Sequence, residues 1–383
     1  MTMLHPSVPG LSPLQPPRRY LFGPGPTMVD PRVYQALATP IVGHLDPYFI
    51  GVMRDVQELL KAPYGVSQGT TLVISGTGSA GMEAAITNFV DAGTKFAVFA
   101  NGYFSDRLTE MAKRNGANVV RFEKKWGETY AEGEAQDFIR SERPNVVGFV
   151  HAETSTGALQ PGHAICAAAH DAGALVIGDC VTSLGGLPVE FDKTGIDVAY
   201  SCTQKGLSCP PGLSPMALSQ RAMEFLRNRK GTPRSWYLDL KLIHEYSTVS
   251  HRYHHTAPIS MFYALREALM AIAEEGVENR WERHRRCGKL FAQGIEQLGL
   301  KMHVPDRQRI PTLSTVRVPE GIDEAKVRKR LLEGPGIEIV GGFGPLAGQI
   351  FRIGIMGPLS TEKNVRFLLD EFSKALRAEG YQH

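Results

Sequence analysis

The sequence of 383 residues has few of the features that mark secreted, membrane-embedded or nucleic-acid-binding proteins. It contains five cysteines, an odd and small number for this length, so we expect no disulfide framework and a cytoplasmic protein. No apolar run approaches the roughly 20 residues that a membrane span needs. The formal net charge is only +3, which creates no field that would attract nucleic acid or anionic lipid. Neither nucleic acid nor a membrane is therefore expected as a partner.

The amino-terminal segment is rich in proline instead. Its first 20 residues include five prolines and no apolar stretch, which is not the pattern of a signal peptide. Because proline removes helix donors and restricts the residue before it, residues 1–19 are predicted to form an extended arm.

From residue 70 onward, short β-rich runs alternate with helical stretches. The runs lie at 70–75, 95–100, 118–122, 145–151, 174–179 and 197–201. Continuous apolar strands that alternate with helices predict an α/β fold with a parallel or mixed sheet covered on both faces. The alternation weakens after residue 201, and two long helical stretches follow. We expect a large domain over residues 20–275 and a smaller α+β carboxyl-terminal domain over 276–383.

A glycine-rich turn, Gly76–Gly81, reads G-x-G-x-x-G between a predicted strand and a predicted helix. Such a turn lets the backbone approach a phosphate, and the helix start offers free N–H groups. A dinucleotide fold also needs an acidic residue about 20 positions on, where the next strand ends. That strand ends at Asn101, and no acid follows before Asp106. A phosphate site for another ligand is thus favoured over nicotinamide or flavin binding. The remaining alternative is a purely structural turn that binds no ligand.

Two further residues give this phosphate site a chemistry. Asp179 ends a buried strand, at the sheet edge where open α/β sheets bind ligands. Lys205 follows the next strand and reaches the same edge. Taken singly, Asp179 would be a turn cap and Lys205 a solvated surface residue. Together with the glycine turn they match the needs of pyridoxal phosphate: a lysine amine for the aldehyde, a carboxylate for the pyridine nitrogen and a cradle for the phosphate.

Arg352 is a charged residue inside an apolar strand, 350–355, with no acid nearer in sequence than Glu362. Burial of a guanidinium is unfavourable unless it is paired, so an unpaired one indicates a ligand carboxylate bound by its two N–H groups. The alternative is an edge strand with Arg352 in water.

Eight motifs together resemble one family, the class V aminotransferases of fold type I, and within it the alanine–glyoxylate and serine–glyoxylate (serine–pyruvate) group. The resemblance runs from about residue 20 to about residue 377. The motifs are LFGPGP (21–26), SGTGSAGMEAA (75–85), HAETSTGALQP (151–161), GDCVTSLGG (178–186), TQKGLSCPPG (203–212), RYHHTAP (252–258), GGFGP (341–345) and FRIGIMGP (351–358).

This resemblance implies a mostly parallel sheet of seven strands, pyridoxal 5′-phosphate as cofactor, and amino and keto acids as substrates. It assigns catalysis to Lys205, as the Schiff-base lysine that moves the α-proton between Cα and C4′. Arg352 would bind the substrate carboxylate, with Gly25 and Thr154 beside it. The residues implied in cofactor binding are Thr77, Gly78, Ser79, Phe104, Thr154, Asp179, Gln204, Lys205, Tyr253 and Thr256.

Tyr253 and Thr256 would reach the phosphate of a neighbouring subunit, which implies a homodimer. Two positions depart from the animal relatives, which carry tryptophan where Phe104 stands and histidine where Ser79 stands. Phenylalanine still stacks, with less area, and serine keeps a short donor.

The predicted activity is transfer of the amino group of alanine or serine to glyoxylate by a ping-pong mechanism. Ureidoglycine–glyoxylate and pyridoxamine–pyruvate transamination are the alternatives within the fold. Cysteine desulfuration is less favoured because it needs a nucleophilic cysteine well after the lysine, and only Cys209 and Cys287 follow Lys205. A silent dimeric scaffold would tolerate loss of Lys205 or Arg352, yet both are present. The adjacent His254 and His255 lack a third ligand at suitable spacing, so no metal site is predicted.

Overall fold

A computed structural model describes residues 13–382 of the chain. The predicted arm lies partly outside this range. Its described part, residues 13–19, has no regular secondary structure, and residues 13–18 are exposed.

Within residues 13–382 the chain forms fourteen strands and thirteen α-helices. The strands are β1 (Tyr20–Leu21), β2 (Thr70–Ser75), β3 (Lys95–Ala100), β4 (Asn118–Glu123), β5 (Val146–Val150), β6 (Ala152–Glu153), β7 (Ala158–Leu159), β8 (Leu175–Asp179), β9 (Val198–Tyr200), β10 (Leu213–Leu218), β11 (Leu313–Arg317), β12 (Ile337–Glu338), β13 (Val340–Gly341) and β14 (Ile350–Gly354). The helices are α1 (Pro31–Leu37), α2 (Pro47–Tyr64), α3 (Gly78–Phe89), α4 (Tyr103–Arg114), α5 (Glu132–Glu142), α6 (His163–Asp171), α7 (Phe191–Thr194), α8 (Gln220–Asn228), α9 (Leu240–His244), α10 (Ile259–Glu275), α11 (Val277–Gln297), α12 (Glu324–Glu333) and α13 (Glu362–Ala378).

Seven strands form the large sheet, in the order β2-β10-β9-β8-β5-β3-β4. All neighbouring pairs are parallel except the two that β10 makes with β2 and β9. The predicted mostly parallel α/β sheet is thus confirmed. Alternate residues of a strand enter different cores: Val73 packs with α2 and α10 on one face, and Leu72 and Ile74 pack with α3 on the other.

Strand β10 was not expected from the sequence. Pro215 stands in its middle, and proline normally argues against a central strand because it has no N–H to donate. Here the register places Pro215 opposite Val73 of β2, and its carbonyl accepts from the Ser201 N–H at 2.9 Å and the Tyr64 hydroxyl at 2.8 Å. The sheet therefore tolerates the missing donor and still uses the acceptor.

The topology brings the ends of distant strands to one edge. Since β10 is antiparallel to both neighbours, β2 runs in the same direction as β9, β8, β5, β3 and β4. Ser75, Ala100, Val150, Asp179 and Tyr200 consequently end their strands at the same edge. The segments that follow these residues form the candidate site.

The carboxyl-terminal part has a sheet of its own, in the order β11-β14-β13, with α11, α12 and α13 packed in the core beside it. Strand β1 joins this part, because Tyr20 and Leu21 pair in parallel with Ile337 and Glu338. The domain boundaries at residues 19 and 275 stay predictions. No helix in the described range has the length and apolar character of a membrane span.

Candidate active site

A cavity of about 210 Å3 opens at this edge of the large sheet. It brings together most of the residues predicted to bind the cofactor, along with four that were not predicted: Met82, Arg107, Val181 and Cys202. The predicted residues that line it are Thr77, Gly78, Ser79, Phe104, Asp179, Gln204 and Lys205.

The start of helix α3 forms one wall of the cavity. Thr77 is its N-cap residue, and in the described structure the Thr77 side chain makes no capping hydrogen bond. The first N–H groups of a helix have no partner within the helix, so they can bind an anion. A Cβ atom at Gly78 would lie 3.1 Å from Cys202 Cβ and 3.2 Å from Val181 Cγ2. At residue 78, where α3 passes the loop after β9, a side chain would thus require its neighbours to shift by a few tenths of an ångström.

Gln204 adds a polar group to the same wall. Its side-chain oxygen is buried, and among residues 13–382 it has no hydrogen-bond partner. A buried amide oxygen without a partner is unfavourable unless a ligand supplies one. This observation supports a polar ligand in the cavity.

Lys205 is buried at the base of the cavity, with 9% of its surface exposed. Its amine donates to the carbonyl oxygen of Pro24, from a segment 181 residues earlier in the chain. Burial lowers the pKa of Lys205, and the positive charge of Arg352 lowers that pKa further. A neutral amine is the form that can attack a carbonyl or accept a proton.

Asp179 lies opposite, at the end of β8, and is almost fully buried. Its carboxylate accepts one hydrogen bond from the Val181 N–H at 2.9 Å and one from the Tyr200 hydroxyl at 2.9 Å. Burial raises the pKa of Asp179 to about 6, although both hydrogen bonds oppose this change. A cationic ring nitrogen beside this buried carboxylate would stabilise its ionised form.

Arg352 lies on β14, the central strand of its sheet, so the alternative of a solvated edge strand is wrong. Its Nε donates to the Gly341 carbonyl at 2.8 Å, one Nη contacts the Thr154 carbonyl at 3.5 Å, and its guanidinium carbon lies 4.0 Å from the centre of the Phe343 ring. Within residues 13–382 it forms no ion pair, and burial lowers its pKa to about 10. The described chain thus supplies no carboxylate within ion-pair distance of this buried cation, although the charge of Glu153 still acts on it.

Thr154 and Gly25 lie beside these groups. The Thr154 hydroxyl shares a hydrogen bond with the Thr182 hydroxyl, and Thr154 is buried. Gly25 has a φ of +119°, and a Cβ atom there would lie 2.9 Å from Lys205 Cδ and 3.0 Å from Lys205 Nζ. Any side chain at residue 25 would therefore displace the lysine.

Tyr253 and Thr256 do not line the cavity of this chain. Both are exposed, and the Tyr253 ring lies 5.1 Å from the ring of His44. Their role toward a neighbouring subunit stays a prediction.

Besides the lining residues Met82, Val181 and Cys202, three residues that shape the site through hydrogen bonds or charge were missed from the sequence. Tyr200 holds Asp179, and Arg107 projects into the cavity from α4. Glu153 is fully buried and accepts from the Phe104 N–H at 3.1 Å, which fixes the start of α4 against β6. For Arg107 a signal existed, because it stands three positions after Phe104 and so lies on the same helix face. No local pattern marks Tyr200 or Glu153, because their partners come from other strands and helices.

Comparison with known proteins places this geometry in a family. The profile described as "Aminotransferase class-V" matches residues 19–366. The chain belongs to the class V aminotransferases. The crystal structure of an alanine–glyoxylate aminotransferase from Nostoc sp. superimposes with a TM-score of 0.95 at 43% identity, covering 98% of this chain and 100% of that one. The (S)-ureidoglycine–glyoxylate transaminase of Bacillus subtilis is 38% identical over 92% of this chain and 89% of its own length. The mouse alanine–glyoxylate aminotransferase is 36% identical over 97% of this chain and 89% of its own length.

The cofactor of class V aminotransferases is pyridoxal 5′-phosphate, and the residues of the cavity fit it. The buried amine of Lys205 suits its aldehyde, the buried carboxylate of Asp179 suits its ring nitrogen, and the glycine-lined start of α3 suits its phosphate. Phe104 lines the same cavity with a flat apolar surface that suits the ring. The unpartnered side-chain oxygen of Gln204 and the close approach at Gly78 are the independent observations that support this fit.

Proposed function

We propose that this aminotransferase moves the amino group of a small L-amino acid, alanine or serine, to glyoxylate and so yields a 2-keto acid and glycine. The names of the relatives from Nostoc, mouse and Bacillus all include glyoxylate, which makes it the best-supported acceptor. The observation that carries the proposal is the buried, unpaired guanidinium of Arg352 in a site built around Lys205.

Arg352 is suited to an α-carboxylate. A guanidinium presents parallel N–H groups that match the two oxygens of a carboxylate. Nε of Arg352 is already bound by Gly341, and the ring of Phe343 covers one of its faces. The side chain is thus fixed before any ligand arrives, which reduces the entropy lost on binding. Amino donor and keto acceptor each carry one such carboxylate, so one arginine can serve both half-reactions.

The surroundings of Lys205 favour a small substrate. Gly25 contributes no side chain and approaches Lys205 closely, and the carbonyl of Pro24 contacts its amine. This close packing supports alanine, serine and glyoxylate over substrates with long side chains.

Within this proposal the residues divide the chemistry. Pyridoxal phosphate, when bound, supplies an electron-withdrawing ring that stabilises the electron pair left when the substrate α-proton is removed. Asp179 keeps that ring cationic by pairing with its nitrogen. Lys205 Nζ, whose pKa is lowered by burial, accepts the α-proton and releases it again, while Arg352 binds and orients the substrate carboxylate.

The test is the visible spectrum of the purified enzyme loaded with pyridoxal phosphate. L-alanine should bleach its yellow absorbance, glyoxylate should restore it, and glycine should accumulate. Arg352→Met should need far higher concentrations of both substrates, whereas Arg366→Met, at an exposed position on α13, should behave like wild type. A band that alanine and serine both leave unchanged would refute the donor. Restoration by pyruvate but not by glyoxylate would refute the acceptor.

(S)-Ureidoglycine is the second candidate donor. The Bacillus relative is named for it, and a crystal structure of ureidoglycine–glyoxylate aminotransferase from that organism superimposes with a TM-score of 0.94. The two donors share the carboxylate that Arg352 would bind. The comparison of kcat/KM for alanine, serine and ureidoglycine decides between them.

We also propose that the working unit is a homodimer in which Tyr253 and Thr256 reach the partner's cofactor phosphate. Large side chains are exposed around this segment: Trp236 is 62%, Val249 63% and Tyr253 56% exposed. The neighbouring Tyr237 hydroxyl lies 3.4 Å from the Ser75 carbonyl, directly before the glycine turn. A surface with these groups beside the phosphate site supports burial against a second chain.

A complementation experiment tests the shared site. Lys205→Ala and the double variant Tyr253→Ala/Thr256→Ala should each be poorly active alone. If subunits exchange, a 1:1 mixture forms hybrids in which one site carries both defects and the other carries neither, so about a quarter of wild-type activity should return. A mixture of Lys205→Ala with Asp179→Ala is the control. Both residues belong to the site of their own chain, so each site of a hybrid dimer keeps one defect and no activity should return. If the mixture of Lys205→Ala with Tyr253→Ala/Thr256→Ala shows only the sum of the two separate activities, and the protein elutes as a monomer, the shared site is refuted.

A reducing, cytoplasmic location is proposed as well. All five cysteines are buried and free, which supports a protein that does not rely on disulfides. Burial also raises the pKa of the thiol of Cys209, the first cysteine after Lys205 in the sequence. That thiol is protonated at neutral pH, which argues against sulfur transfer.

A further inference from the structure

Arg107 lies in the cavity although neither the motifs nor the proposed reaction uses it. It follows Phe104 by three positions on α4, and its guanidinium carbon lies 4.8 Å from the centre of the Phe104 ring. One Nη of Arg107 donates to Ser79 Oγ at 3.0 Å. The side chain thus extends from α4 to the start of α3, where the phosphate site is.

The charge of Arg107 is unpaired. Within residues 13–382 it forms no ion pair, although acids flank it on α4. Those acids have partners of their own: Asp106 pairs with Arg121 at 2.6 Å, and Glu110 pairs with Arg114 at 2.8 Å. A guanidinium carries five N–H donors, and the described chain supplies Arg107 with one side-chain acceptor, Ser79. Most of its donors are available to a ligand.

We propose that Arg107 binds the phosphate group of pyridoxal phosphate, together with the N–H groups at the start of α3. Phe104 supports the flat face of the guanidinium, and the Ser79 hydroxyl fixes one edge, so the remaining N–H groups are oriented before the cofactor enters. An arginine forms short, charge-assisted hydrogen bonds with a phosphate. These are stronger than the hydrogen bonds that the backbone N–H groups of α3 would form alone. The inference goes beyond the proposed reaction and does not depend on the amino donor.

Arg107 could instead act only by packing, as a support for Phe104. The two roles differ in their dependence on phosphate. Pyridoxal has the same ring and aldehyde as pyridoxal phosphate but lacks the phosphate group. A phosphate-binding residue therefore affects the affinity for one compound, whereas a support for Phe104 affects both.

The experiment measures dissociation constants of pyridoxal phosphate and of pyridoxal by absorbance titration of the cofactor-free protein, with no amino or keto acid present. Arg107→Met keeps the stem over Phe104 and removes the donors. Arg107→Lys keeps a charge at the site. Arg114→Met is the matched control, because it removes one cation from the same helix at a side chain that is 79% exposed.

Arg107→Met is expected to weaken pyridoxal phosphate about 10- to 100-fold and to leave pyridoxal within about threefold of wild type. Arg107→Lys should recover part of that loss, and Arg114→Met should change neither constant. An equal loss of affinity for both compounds would overturn the proposal in favour of packing. Unchanged affinity for both compounds would overturn it as well. An equal effect of Arg114→Met would overturn it in favour of general charge attraction. Since no substrate is used, failure of the proposed transamination would leave these outcomes unaffected.

Discussion

Tyr200→Phe removes one hydroxyl beside Asp179, and we expect the resulting loss of stability to increase as the pH rises. The Tyr200 hydroxyl donates to the Asp179 carboxylate at 2.9 Å, and both residues are buried. Burial raises the pKa of Asp179 to about 6, above its ordinary value of about 4. A carboxyl whose pKa is raised by folding stabilises the protein fully below about pH 4, and this contribution is lost as the pH rises through about 6.

The magnitude follows from the hydrogen bond. At pH 5 Asp179 is mostly protonated in the cofactor-free protein, and the variant loses a hydrogen bond to a neutral group, about 1 kcal/mol. A bond to the ionised carboxylate is stronger, so its loss should raise the pKa of Asp179 by about one further unit, or about 1.4 kcal/mol. The extra destabilisation develops between about pH 6 and 7, so at pH 8 the total loss should be about 2.5 kcal/mol.

Tyr64→Phe is the matched control. Tyr64 is equally buried, and its hydroxyl donates at 2.8 Å to a neutral acceptor, the Pro215 carbonyl, which keeps the Ser201 N–H as a second partner. Its loss, about 1 kcal/mol, should be the same at both pH values. The assay is denaturant unfolding of the cofactor-free proteins at pH 5 and pH 8 and equal protein concentration. A loss for Tyr200→Phe that does not change with pH, or that is larger at pH 5, would refute the reasoning.

The remaining predictions concern catalysis and the cofactor. Lys205→Ala should lower kcat by orders of magnitude in steady-state assays while the protein still binds pyridoxal phosphate, because it removes the group that moves the α-proton. Arg352→Lys should raise KM for donor and acceptor alike by about 10- to 100-fold, because a point charge replaces a two-pronged donor. Gly25→Ala should lower kcat, because its Cβ would displace Lys205, whereas Gly133→Ala, which meets no neighbour, should not. Removal of the cofactor should lower Tm, because a ligand at 100 times its Kd stabilises the folded state by about 2.7 kcal/mol.

Each of these predictions has a distinct contrary result. Wild-type turnover of Lys205→Ala would remove that residue from the proton transfer. Unchanged KM values in Arg352→Lys would show that the carboxylate binds elsewhere. Equal kcat values for the two glycine variants would mean that Lys205 tolerates a side chain at residue 25. A Tm that does not respond to the cofactor would contradict binding in the cavity.

Several features of the site could be predicted from short stretches of sequence. The strand directly before Gly76 and the strand ending at Asp179 are continuous apolar runs. Such runs are recognisable because the strand preference of each residue agrees with its burial. The glycine turn, Asp179 and Lys205 each follow a strand, so their meeting at one sheet edge follows from the parallel topology. Arg352 was recognisable from its apolar neighbours alone. The family resemblance extended these residues to the cofactor and to an activity.

Other features depended on tertiary contacts. Strand β10 contains Pro215, and its local sequence argues against the strand that its neighbours impose. Tyr200 reads as one more apolar strand residue until β8 brings Asp179 within 2.9 Å of its hydroxyl. Arg107 reads as a solvated helix residue until α3 presents Ser79 to it.

The sequence by itself determined six of the seven strands of the large sheet, the cofactor chemistry and the residues that carry it, because strand patterns and catalytic side chains depend on near neighbours in the chain. The tertiary structure decided how those residues are held and charged. Gly25 makes room for Lys205, Tyr200 steadies Asp179, and burial shifts both pKa values, upward for Asp179 and downward for Lys205. Such effects depend on packing and desolvation by segments far apart in the chain, and these exist only after folding.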